Sequence, residues 1–184
     1  ELPKNKADLL DLRQLLNNEA DTTQLMDKIT QVKQHWRNLL LHTSDPLIEL
    51  ALTLTPSQRS EMVENIREQI NDEIQEHASL TKKEHQQQRL ERQLDYYKQW
   101  LGKLTSEQQT LISQANSEHT PTSDLWYDYK LTRLAALEAL FSQQTLSEAE
   151  FTQQLHTIIT DREQYMSNEL RELNEQNLKA YAHL

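Results

Sequence analysis

A single glycine, Gly102, serves all 184 residues of this chain. Tight hairpins need residues at positive φ, which glycine adopts without steric cost, and an all-β chain needs such a turn about every ten residues. With only four prolines beside that glycine, a sheet-rich fold lacks its turn chemistry, and no glycine-rich loop can cradle a phosphate. Helices are what remains. An apolar share of 36% suffices for a core of ordinary size, so the sequence predicts an all-α fold, one domain over 1–184, built as an elongated antiparallel helical bundle.

Hydrophobic spacing divides the chain into N-terminal helices over 1–44, a central set over 45–142 and a long C-terminal helix over 147–184. Leu9, Leu12, Leu15 and Leu16 share one side of a short first helix, and a second, capped by Asp21 or Thr22, carries Leu25, Ile29, Val32, Trp36 and Leu39 in seam rhythm. "DPLIELAL" reads as a short helix of its own, with Asp45 as cap and Pro46 in the first turn. Met62, Ile66, Ile70 and Ile74 follow one another every fourth residue, "TKKEHQQQR" (81–89) has no apolar residue, and Leu90, Leu94, Tyr97, Trp100 and Leu101 restore a buried face. Whether 56–101 is one bent helix or two stays open. Gly102 suits the left-handed residue that ends a helix. Further helices are expected over 106–117 with Leu111, Ile112 and Ala115, and from Ser123 or Asp124 with Trp126, Tyr129, Leu134, Leu137 and Phe141. The last pattern, from Phe151 through Leu155, Ile159, Met166, Leu170 and Leu173, reads as one helix of roughly 50 Å.

"LTPSQ" (54–58) recurs as "LTSEQ" (104–108), and the spacing has a local explanation. In a capping box a Ser or Thr side chain accepts from the amide three residues on, while a Glu or Gln there reaches back to the cap's own amide. Thr55 with Gln58, Thr81 with Glu84, Thr105 with Gln108 and Ser147 with Glu150 all fit that pattern, so these eight residues are assigned as structural helix caps with no catalytic role. A leucine precedes each cap, but the staple partner one turn on is apolar only at Phe151, so the other leucines are expected to pack elsewhere.

"KKEHQQQRLERQLDYYKQWLGKL" between the two pentapeptides, and "LWYDYKLTRLAALEALF" after them, complete a pattern from Leu47 to Phe141. It resembles a domain-of-unknown-function family of proteobacterial lipoproteins, with "ERQLDYYKQWLGKLTSEQ" its most specific piece. The resemblance implies a lipidated cysteine ahead of the domain, holding it on the periplasmic side of the Gram-negative envelope. This sequence has no cysteine and starts at Glu1, so membrane attachment is expected only through an N-terminal anchor on a processed or trimmed leader. The paired Leu-Thr-x-x-Gln is also similar, more distantly, to the Spy and CpxP periplasmic proteins, helical dimers with ATP-independent chaperone activity. That likeness implies a holdase and allows a homodimer. The net charge of 19 − 29 = −10 departs from the basic concave surface on which Spy-type activity depends.

The same charge argues against a nucleic-acid partner. Its distribution is uneven: 61–76 holds six acids against Arg67, whereas 82–103 holds six Lys or Arg against three acids, which suggests that the two stretches neighbour each other. The longest run without a charged residue is ten, short of the roughly 18 of a membrane span. The seven histidines never form His-x-x-x-His or Glu-x-x-His, and Glu73 with His77, one turn apart, is read as a surface pair, so neither metal, cofactor nor catalytic residue is assigned. Arginines beside aromatics mark many interfaces, which makes Arg89, Arg92, Tyr96 and Trp100, with Trp126 and Tyr129, the partner-binding candidates. The competing reading makes the aromatics core residues. The sequence thus supports a non-enzymatic envelope lipoprotein that binds a protein or envelope component through a helical surface, with a holdase or a structural spacer as alternatives.

Overall fold

The computed structural model describes residues 22–182. Among them are seven α-helices, one 3-10 turn and no strand. The helices are α1 (Thr22–Thr53), α2 (Pro56–Ser79), α3 (Lys82–Leu101), α4 (Ser106–Glu118), α5 (Ser123–Ser142), α6 (Glu148–Thr160) and α7 (Asn168–Ala182), with the 3-10 turn at Glu163–Tyr165. The all-α expectation holds. The first short helix, over 4–17, and the cap at Asp21 lie outside the described residues, as do the side chains of Leu25, Ile29, Val32, Trp36, Trp100 and Tyr181.

All four capping boxes form. Thr55, Thr81, Thr105 and Ser147 each accept from the amide three residues on at 3.2 to 3.3 Å, and Gln58, Glu84, Gln108 and Glu150 accept from the cap amides at 2.7 to 2.9 Å. Each box satisfies two amides that a helix start otherwise leaves unpaired, worth about 1 kcal/mol apiece on removal of the cap side chain. Thr81 also settles the open question over 56–101: the chain is two helices, ended at Ser79 and restarted at Lys82.

The described residues fall into two compact units, each assembled from separated segments. The described residues of the first lie within Glu1–Val32, Glu76–Thr122 and Arg171–Leu184; the second is Lys33–Gln75 with Ser123–Leu170. In the first unit α3 packs on α4, with Leu104, Ile112 and Ala115 buried. Gly102 closes α3 at φ 78°, but its ψ of −137° lies outside the left-handed helical region expected of it, in a conformation open to glycine alone.

In the second unit Ile48, Ala51, Leu140, Phe151, Leu155 and Ile158 form a core. A second group of Val63, Ile70 and Leu134 joins it through Leu137 and Phe141, which touch both. Ion pairs of Glu73 with Lys130 and of Arg67 with Glu138 show that α2 and α5 run antiparallel, since the α2 number falls as the α5 number rises. Lys130, not the basic stretch of α3, is thus the partner of Glu73 in the acidic stretch.

Two expectations need correction. "DPLIELAL" does not start its own helix: α1 runs through Pro46 to Thr53. Proline there lacks the N–H that would reach back one turn. The hydroxyls of Thr43 and Ser44 bond to the carbonyls of Leu39, Leu40 and Leu41, so Asp45 follows helix already formed instead of capping a new one. On α2, Val63 and Ile70 are buried with Ile66 and Ile74 packed beside them, while Met62 is 40% exposed. The long C-terminal helix is two helices. Asp161 ends α6 at φ −94°, ψ 71°, and Ser167 Oγ accepts from the Leu170 amide at 3.0 Å to begin α7. The break lets Tyr165 fold back onto the core around Phe151, burial that a straight helix would forfeit.

Candidate functional site

The second unit carries an open groove of about 450 Å³, inside the roughly 300–1,000 Å³ range of small-molecule sites. Its walls follow from local sequence. On α1, Ile48 and Ala51 take the buried stripe, which leaves Leu47 and Leu50, one turn apart, to line the groove with Leu54 just past the helix end. Leu47 is 53% and Leu50 58% exposed, large values for leucines flanking a core. Across from them α2 contributes Met62, Ile66 and Ile70, and α5 contributes Leu134, Leu137 and Phe141.

The polar lining is gathered at one end. Because α2 and α5 are antiparallel, Gln69 and Glu73 on α2 stand near Lys130 and Arg133 on α5, whereas Met62 and Phe141 mark the opposite end. Glu73 pairs with Lys130. Arg133 donates through Nε to the Ile158 carbonyl at 3.0 Å, which fixes its guanidinium in the wall. Burial pushes the Tyr165 phenol above its ordinary range, and the nearby Arg133 charge opposes that rise. Trp126 meets Tyr129 edge-on at 5.3 Å, and the buried Tyr129 lines the groove beside Lys130. Tyr127 donates to the Glu73 carbonyl, a further tie between α5 and α2.

Arg89, Arg92 and Tyr96 lie on α3 in the first unit, while Trp126 and Tyr129 belong to the second. Arg89 turns inward. Its Nε donates to Asn116 Oδ1 at 2.8 Å and its Nη2 to the Asn116 carbonyl at 3.3 Å, and Asn116, 2% exposed, donates in turn to the Gln86 carbonyl. Arg92 and Tyr96 are exposed, Tyr96 at 55%, and stand one turn apart on α3. Trp100 carries the same stripe onward, but its side chain lies outside the described residues. Asn177 of α7 pins the loop before α5: its side chain accepts from the Thr120 amide and donates to the Thr120 carbonyl, both at 2.9 Å. Burial, and then the Arg89 charge, lower the His119 pKa below its ordinary 6.5.

Glu73 and His77 do not converge on a common point: Glu73 pairs with Lys130, and the His77 ring stacks on His85 at 3.9 Å. Among the described residues no group of three His, Asp or Glu gathers, and no helix is long and apolar enough to cross a membrane.

Fold and groove together define an all-α protein with an apolar helical cleft. The chain belongs to the family of unknown function DUF6279, whose model matches residues 1–171. No curated protein and no solved structure matched the chain.

Proposed function

We propose that this chain is a non-enzymatic binding protein of the Gram-negative cell envelope, held at a membrane on the periplasmic side by an N-terminal lipid anchor. The envelope placement rests on the sequence resemblance to lipoproteins, and the binding role on one structural observation. Leu47, Leu50 and Met62 spend apolar surface on solvent around a cleft of about 450 Å³ where a chain with no ligand would gain from covering it. The exposed Arg92 and Tyr96 of α3 offer a separate helical surface for a protein or envelope component. The test places a photoreactive residue at Leu50, or at Arg92, in the protein expressed from its own full-length gene. A discrete crosslinked product from intact cells at either position, in the membrane fraction, supports the reading; no product at both positions, or a protein recovered wholly outside the envelope fractions, overturns it.

The same exposed leucines favour one alternative, an ATP-independent holdase. A holdase suppresses aggregation of unrelated denatured clients at stoichiometric amounts, and a dedicated binder does not.

A further inference from the structure

Resting on that binding role, the groove's chemistry narrows what it takes. We infer that the groove of the second unit binds a single-chain anionic amphiphile, its tail between α1, α2 and α5 and its acidic head at Lys130 and Arg133. Three observations converge on this class.

Polarity is the first. The charged and amide lining residues, Gln69, Glu73, Lys130 and Arg133, occupy one end together with Tyr129, and the rest of the groove is walled by leucine, isoleucine, alanine, methionine and phenylalanine. A ligand matching that division has one polar end and one long apolar end. Charge is the second. Among the lining residues, Lys130 and Arg133 against Glu73 leave one net positive charge at the polar end, in a chain whose total is −10. An acidic head group meets a complementary charge there and repulsion over much of the remaining surface, which favours this end over non-specific adsorption.

Size is the third. A single extended hydrocarbon chain matches the groove's length: from Arg133 to Phe141 the α5 wall runs about 12 Å, within a space of about 450 Å³.

Calorimetric titration of the whole chain with dodecanoate, below its micellar concentration, tests the inference. Saturable one-to-one binding is expected. Decanoate, two methylenes shorter, binds about tenfold more weakly if the tail is buried. Lys130→Gln weakens dodecanoate about fivefold and leaves the uncharged dodecyl maltoside unchanged. Leu50→Glu with Met62→Glu, both at exposed positions, abolishes binding of either probe while the helical circular dichroism stays that of the parent. Absence of saturable dodecanoate binding overturns the inference, as does binding that ignores chain length or survives the double glutamate variant. Failure here alongside a discrete protein crosslink at Leu50 in cells would sink the amphiphile and leave the binding role standing. Failure of both would remove both.

Discussion

Replacing Arg89 and Arg92 one at a time separates an arginine that holds the fold from one that faces solvent. Both stand on α3 and both belong to the sequence-derived partner surface, yet only Arg89 is tied inward, at 2.8 Å to Asn116 Oδ1 and 3.3 Å to its carbonyl. A hydrogen bond from a charged donor contributes about 1.5–3 kcal/mol, and the longer second bond adds less. Arg89 is only half-buried, so water recovers part of what is lost. Asn116 is 2% exposed, and its oxygen cannot be rehydrated so readily. Arg89→Met, which keeps the aliphatic stem, should therefore cost about 2–3 kcal/mol and lower Tm by about 5–10 °C in a chain of this length. Arg92→Met removes an exposed charge and should stay within about 0.5 kcal/mol. Thermal and urea unfolding followed by far-UV circular dichroism gives both values. Equal stability of the two variants, or an Arg89→Met protein as stable as the parent, would refute the inward tie. A practical consequence follows for interface mapping: Arg92→Glu is a clean probe of partner binding, and Arg89→Glu confounds binding with stability.

Arg59 gives a second stability prediction. Its guanidinium lies 4.4 Å from the Phe151 ring and donates to the Ala51 carbonyl, one of the last of α1, so Arg59→Lys, which loses the planar stack, should cost about 1–2 kcal/mol in a urea melt. Gly102→Ala meets no neighbouring atom but is forced to φ 78° and ψ −137°, so strain alone should cost about 1–3 kcal/mol. Acid should destabilise the fold in two windows. The fold holds His119 below 6.5, favouring the neutral ring, so its contribution is complete above that pH and fades as pH falls below it; His119→Gln should flatten this part of the stability profile. Glu84 and Glu150 are held below 4.5, first by the hydroxyls and then by the amides of Thr81 and Ser147, so their contribution is lost only on further acidification, and Glu84→Gln with Glu150→Gln should remove that lower step.

Helix starts were the most legible part of this sequence because capping is local chemistry: Thr81 and Glu84 need only each other and the backbone between them. Helix continuity was harder to read. Pro46 and Asp45 look like an N-terminus, but the hydroxyls of Thr43 and Ser44 and the burial of Ile48 carry α1 through. The break after Thr160 leaves little periodic signal, since Phe151, Leu155, Leu170 and Leu173 keep helical spacing on both sides; Ser167 was the available cue to a new start. The groove had a trace as well. "LIELALTL" carries more apolar residues than one buried stripe can use, and Leu47, Leu50 and Leu54 are the surplus. What pattern alone could not supply was the antiparallel register of α2 and α5, which brings Glu73, Lys130 and Arg133 to one end of that surplus.

The most direct measurement of the central claim is methyl-resolved NMR of the chain titrated with dodecanoate. Perturbations should concentrate on Leu50, Leu54, Met62, Ile66 and Leu134, and a paramagnetic label at the tail terminus should broaden Met62 more than Ile70. Shifts confined to Leu111 and Leu94 of the first unit, or spread evenly over every methyl, would contradict a groove built to take an anionic chain.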